Sequence, residues 1–196
     1  KVPKIPNFNI PKFDKVDPDR NTKPVSLKVT SFAYYLKNPI IEPIKASLFD
    51  LVIMNYETRV GTVNTKFSKE QIASIKSNKK ILAYISIGEA ESYRDYWTKN
   101  NWYRAKPSYI GPENIYWKGN FAIKDLRNEE WKKIVYDQID AVISQGFDGV
   151  LFGGVADDTD KDNLAAFIAD ASKYAKSRQS RFAVFVQDAE FLTDNY

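Results

Sequence analysis

Residues 80–87 (KILAYISI) read as a buried strand, and Gly88-Glu89-Ala90-Glu91 follows directly, so the Glu89 carboxylate stands at a strand's end. A carboxylate there, in a low-dielectric setting, suits general-acid work. The structural alternative for Glu89 is an ion pair with Arg94 or Lys124. The chain has no histidine and no cysteine. That removes the usual neutral-pH base, the commonest metal ligand, thiolate chemistry and any disulfide framework. Whatever chemistry occurs must run on carboxylates, with Lys, Arg, Tyr and amides in support.

Three further groups of residues invite a chemical reading. Residues 92–120 hold eight aromatics, including three of the four tryptophans. Flat rings suit the C–H faces of sugars and attract cationic amines. A satellite core under a long loop accounts for most of them, leaving about two to face a ligand. Gly153-Gly154 resembles an anion-cradling turn, although no Gly-x-Gly-x-x-Gly or Walker pattern accompanies it. Asp157, Asp158, Asp160 and Asp162 lack the glycine and terminal glutamate of a calcium loop. They read instead as acids at a helix N-terminus, and no metal or cofactor is implied.

The elements that must position these groups alternate. Strand patterns fall at 28–36 (KVTSFAYYL), 49–55 (FDLVIMN), 80–87, 120–124 (NFAIK), 147–152 (FDGVLF) and 181–186 (RFAVFV). Several are near-continuous apolar runs, as in parallel strands covered on both faces. Helical patterns lie between them. Ser68-x-x-Gln71 is a capping box. Asn128 opens a helix over 129–145 with Trp131, Ile134, Val135, Ile139 and Val142 at helical spacing, and Gly146 ends it. Strand–helix alternation implies βαβ units with right-handed crossovers. The fold class expected is α/β, a (β/α) TIM-type barrel with about six βα units. A complete barrel takes about 250 residues, so an incomplete barrel, or one closed by another segment, is expected.

The net charge of +4 is localised. Residues 1–28 carry seven Lys/Arg against three Asp, and the remaining 168 residues balance 22 bases with 22 acids. A neutral folded part gives no nucleic-acid footprint. Residues 1–27 hold five of the nine prolines and two Ile-Pro-x-Phe repeats, Ile5 to Phe8 and Ile10 to Phe13. This is the composition of an extended linker or surface tether, with 28–196 as the folded domain. No apolar run approaches the roughly 18 to 20 residues that span a bilayer. The absence of cysteine and a start at Lys1 without methionine fit a signal-cleaved form, so an extracytoplasmic location is expected.

Ile85-Ser86-Ile87-Gly88-Glu89-Ala90-Glu91, followed by Tyr93-Arg94 and Tyr96-Trp97, closely resembles glycoside hydrolase family 114, the endo-α-1,4-polygalactosaminidase group. The likeness continues through Trp117-x-Gly119-Asn120-Phe121, Gly146-Phe147-Asp148-Gly149-Val150 and Phe185-Val186-Gln187-Asp188-Ala189-Glu190, and covers about residues 29–194. The resemblance implies a (β/α)8 barrel and a cleft for galactosamine-type polysaccharide at the C-terminal ends of the strands, with no metal.

Departures from the family pattern shape the functional expectation. Gly149-Val150-Leu151-Phe152-Gly153-Gly154-Val155-Ala156 stands where the family usually places two aspartates, and Asn55 where it often has one. A late family carboxylate would fall beyond Tyr196. Glycoside cleavage normally takes two carboxyl groups, about 5 to 5.5 Å apart for retention or 6.5 to 9.5 Å for inversion. Glu89 is the expected acid or electrostatic group and Asp157 the candidate second carboxylate. Tyr34, Asn55, Arg94, Trp97, Asp125 and Gln187 are the expected ligand-binding residues. The expectation is a domain that binds an amino-sugar polymer or small polar ligand with catalysis weakened or lost. The alternative is a surface interaction domain without a carbohydrate ligand.

Overall fold

The structure, a computed structural model, describes residues 29–77, 79–155 and 161–189. The linker expected at 1–27, and Asp157 with it, lie outside the described residues. Five parallel strands make the central sheet: β1 (Phe32–Tyr35), β2 (Leu51–Asn55), β5 (Lys80–Ser86), β9 (Gly149–Gly153) and β10 (Ala183–Val186), side by side in that order. The connections carry helices α1 (Ile41–Ala46), α2 (Lys69–Ile75), α4 (Glu129–Gln145) and α5 (Lys161–Arg178). The expected α/β class with a parallel sheet is what the chain forms. Among the described residues β1 and β10 are the two edges of this sheet. No described helix is long and apolar enough to cross a membrane.

Two elements differ from the sequence reading. Residues 120–123 form β8 (Asn120–Ile123), which pairs antiparallel with β6 (Glu89–Glu91) and β7 (Ile110–Glu113) in a separate three-stranded sheet, not as a fourth central strand. Its residues are mostly half-buried, with only Ile123 fully covered, whereas a central parallel strand is covered on both faces. A hairpin of β3 (Glu57–Val60) and β4 (Val63–Lys66) also follows β2 directly. Its strands are polar, and the signal for it was Gly61 between Val60 and Val63, which takes a positive φ of 61° at the turn.

Alternation along the central strands separates two faces. Val52, Met54, Ile81, Ala83, Ile85, Val150 and Phe152 pack under the helices in the main core, with Trp131, Ile139, Leu164 and Phe167. Trp131 also donates from Nε1 to the Ile87 carbonyl at 2.8 Å, fixing α4 under the end of β5. Asn128 caps α4 by accepting from the Glu130 and Trp131 amides. On the other face Ile53, Leu82 and Leu151 form a small cluster with Leu51, Tyr84 and Ala183. There Phe32, Tyr34 and Phe185 are left 58%, 45% and 45% exposed.

Polar contacts lock the strands' starts. Asp50 Oδ2 accepts from the Thr30 amide at 2.8 Å and hydroxyl at 2.6 Å, and from the Ser31 amide at 3.0 Å, which ties β1 to β2. Asp148 accepts from the Ile81 amide at 2.9 Å and pairs with Lys76 at 2.9 Å, joining β5 to β9. The buried ammonium of Lys79 donates to the carbonyls of Ile44, Lys45 and Ser47, satisfying the C-terminal end of α1.

Candidate functional site

The open face changes character along the strands. In register across β2, β5 and β9 lie Asn55, Tyr84 and Leu151, with Phe185 of β10 aligned to Leu151. Toward the C-terminal ends Ser86 aligns with Gly153, and the Gln187 amide donates to the Phe152 carbonyl at 2.8 Å. The face thus runs from an aliphatic floor to a polar rim. Expected residues Asn55 and Gln187 belong to that rim, while Tyr34 lies lower, on edge strand β1.

Glu89 stands at the start of β6, just past the end of β5. Its position is set by crossing backbones. The Ile87 amide donates to the Gly153 carbonyl at 2.9 Å and the Ile123 amide to the Gly88 carbonyl at 2.8 Å. A side chain on Gly88 would meet the Gly154 carbonyl oxygen at 2.2 Å, so only glycine lets the two chain segments touch there. Glu89, 9% exposed, has neither Arg94 nor Lys124 as partner. Its Oε1 accepts from Asn114 Nδ2 at 2.6 Å and its Oε2 from Asn120 Nδ2 at 2.8 Å. Both oxygens therefore serve as acceptors for neutral amides.

Neither Asn114 nor Asn120 was an expected site residue, although Asn120 lies in the Trp117-x-Gly119-Asn120-Phe121 likeness. Both flank the β7–β8 loop. Asn114 Oδ1 accepts from the Tyr116 and Trp117 amides at 2.9 and 3.2 Å, and its own amide donates to the Asn120 carbonyl at 2.7 Å. The loop tip displays Ile115, Tyr116 and Trp117 at 86%, 84% and 68% exposure. The remaining insert aromatics mostly pack inward. Trp97 meets Phe121 at 4.7 Å and Trp102 at 5.5 Å between ring centroids, and Trp102 continues to Tyr109. Trp97, expected to face a ligand, is instead a core residue, because α3 (Asp95–Lys99) turns it beneath the small sheet.

Arg94 anchors a buried ionic cluster beside the rim. Its Nη1 donates to Glu57 Oε1 and to Asn55 Oδ1, both at 2.8 Å, and its Nε to Glu91 Oε2 at 2.7 Å. Tyr93 donates to Glu91 Oε1 at 2.5 Å, and the guanidinium lies 4.7 Å from the Tyr56 ring centroid. Burial works against the charge on Arg94, but Glu91, Tyr56 and Glu57 outweigh it and hold its pKa well above the ordinary arginine value. Arg94 is therefore a support for Asn55 rather than an exposed ligand contact. Asp125 accepts from the Arg127 amide at 3.0 Å in the turn before α4.

Position 153 carries no side chain, and the Tyr84 ring lies where one would stand. A Cβ there would be 2.5 Å from Tyr84 Cε2 and 2.6 Å from its Oη. Burial raises the pKa of this phenol, and the nearby charges of Glu91 and Glu89 raise it further. The group is a neutral hydroxyl at physiological pH.

A parallel sheet with a carboxylate and polar rim at the C-terminal strand ends is an arrangement common to barrel glycosidases. The model of glycoside-hydrolase family GH114 matches residues 14–187, and the chain belongs to that family. An uncharacterized protein of Methanocaldococcus jannaschii is 37% identical over 176 residues, covering 83% of this chain and 50% of its own length. One from Thermotoga maritima is 29% identical over 177 residues, covering 84% and 54%. The chain thus spans about half the length of the curated relatives it matches. Among solved structures, Aspergillus fumigatus Ega3 in complex with galactosamine aligns with a TM-score of 0.68 at 16% identity, covering 88% of this chain and 66% of that one. The glycoside hydrolase domain of PelA from Pseudomonas aeruginosa aligns at 0.61 and 16%, covering 85% and 63%. These likenesses establish the shared fold.

Proposed function

We propose that this chain binds a galactosamine-type polysaccharide outside the cytoplasm, along the rim formed by Asn55, Tyr84, Glu89 and Gln187, with hydrolysis weakened or lost. One observation carries the reading: Glu89 is held as an acceptor by two amides, and the space a side chain on Gly153 would need is filled by Tyr84. A glycine can neither protonate a leaving oxygen nor attack an anomeric carbon, so an acid–base pair spanning these two positions is not available. Membership of the family and the galactosamine complex of the Ega3 neighbour support the ligand class. Residues 1–27 would serve as the tether.

The test is incubation with partly deacetylated α-1,4-galactosamine polymer. Measurable binding with no release of oligosaccharides is the expected result, and Glu89→Gln should weaken the binding. Release at an ordinary glycosidase rate, abolished in Glu89→Gln, would overturn the loss of catalysis. Failure to bind any amino-sugar polymer would overturn the ligand class.

A further inference from the structure

Among the described residues, two hydroxyls on β5 sit against the Gly153-Gly154 pair without a hydrogen-bond partner. Ser86 Oγ is buried and has no hydrogen bond, and the Tyr84 hydroxyl makes none among the described residues. Buried polar groups are normally satisfied, and one left unmade weighs against the folded state. Both contacts depend on the absence of side chains opposite. A Cβ on Gly154, whose φ is 70°, would meet Ser86 Oγ at 2.2 Å and come within 3.7 Å of the Glu89 Cβ. A Cβ on Gly153 would enter the Tyr84 ring. Tyr84 and Ser86 are two residues apart on one strand, so they share a face. The two glycines therefore keep two unpaired hydroxyls standing beside the Glu89 carboxylate.

The charge around this spot is one-sided. Glu91, Glu89 and Asp188 are the carboxylates that act on Tyr84, and Arg94 is the cation among them. A polar group that satisfies the two hydroxyls must be able to donate or accept beside a carboxylate. A sugar hydroxyl can do either and a protonated amine can donate to both hydroxyl oxygens, whereas a phosphate or carboxylate would meet like charge.

We infer that the Gly153-Gly154 turn is a seat for one sugar residue, in which Tyr84 Oη and Ser86 Oγ are ligand-contacting groups and the two glycines exist to make room for them. This rests on the proposed carbohydrate function and adds the residues that read the sugar. Tyr84 takes the volume that a side chain at 153 would fill, so a phenol from the neighbouring strand stands where that side chain would.

Calorimetric titration with an α-1,4-linked galactosamine oligosaccharide, alongside thermal unfolding of each free variant, tests the seat. Tyr84→Phe keeps the ring on Gly153 and removes only the hydroxyl, so affinity should fall about fivefold with the melting temperature nearly unchanged, the loss of roughly one hydrogen bond. Ser86→Ala removes an unpaired buried group. It should leave the free protein as stable as wild type or more so, while weakening the oligosaccharide by a similar factor. Gly153→Ala should lower the melting temperature, and much less so in a Tyr84→Ala background, where the ring is gone. Wild-type affinity retained in both Tyr84→Phe and Ser86→Ala would overturn the seat while leaving the carbohydrate reading intact. Absence of binding by the wild-type chain would overturn both.

Discussion

Asn114 holds Glu89 with one end of its side chain and the exposed aromatic tip with the other. Its Nδ2 donates to Glu89 Oε1 at 2.6 Å, and its Oδ1 accepts from the Tyr116 and Trp117 amides. Asn120 supplies the second amide at 2.8 Å, but its side chain makes no such link, and it meets the tip through its backbone amide on the Trp117 carbonyl at 3.0 Å. The two asparagines are therefore separable. Asn120→Ala leaves one oxygen of a buried carboxylate unpaired, at a cost of about 1.5–3 kcal/mol in thermal unfolding. Asn114→Ala should cost about as much in stability and more in polymer affinity, because the Tyr116 and Trp117 amides lose their acceptor as well. Equal affinity for the two variants would show that the tip is not engaged by the polymer.

The Arg94 cluster predicts a stability effect. The guanidinium is 2% exposed and pairs with two carboxylates that are each 5% exposed. Arg94→Met would strand Glu57 and Glu91, and breaking a buried pair by removing one partner costs about 3–5 kcal/mol. For a domain of this size that corresponds to a fall of roughly 10 °C in melting temperature. Arg94→Lys should recover only part of it, since one ammonium cannot reproduce the directed Nη1 and Nε bonds. A melting temperature within 2 °C of wild type (~0.5 kcal/mol) for Arg94→Met would refute the structural role.

The sequence was most informative where physics is local. The apolar runs read at 49–55, 80–87 and 147–152 became the inner central strands β2, β5 and β9, because a strand covered on both faces has few alternatives to apolar residues. Glu89 was legible as a strand-end carboxylate. Its partners were not, since Asn114 and Asn120 reach it across 25 and 31 residues of chain. No local pattern reports that β7 and β8 will fold back over β6. The pairing of Tyr84 with Gly153 was hidden for the same reason. A glycine marks a close approach, but not which residue approaches. Glu91 was in plain view two residues from Glu89, and only the structure divides their tasks, one facing amides and the other Arg94.

Asp50 makes stability depend on pH at the acid end. Hydrogen bonds from the side chain and backbone of Thr30 hold its pKa below the ordinary 3.8. A carboxylate with a depressed folded-state pKa stabilises the fold above its unfolded value, and that contribution is lost as pH falls through the folded one. Wild type should therefore melt above Asp50→Asn at pH 6, with the gap closing progressively below about pH 4. A gap that stays constant down to pH 2.5 would mean that the Thr30 and Ser31 donors hold the protonated acid as well as the anion.

The insert tryptophans separate binding from stability. Trp97 is 6% exposed and meshes with Trp102 and Phe121, while Trp117 is 68% exposed on the tip held by Asn114. Truncating a buried aromatic costs about 3–5 kcal/mol, because the cavity relaxes only in part. Trp97→Ala should thus unfold far more easily, with any binding loss following from that. Trp117→Ala should change stability by less than about 0.5 kcal/mol. If the polymer stacks on its ring, affinity should drop by about tenfold, the order expected for a desolvated aromatic contact with a cationic sugar. The paired measurement, melting temperature and polymer affinity on both variants, assigns each ring its task. A Trp117→Ala chain that binds like wild type would confine the ligand to the strand-end rim.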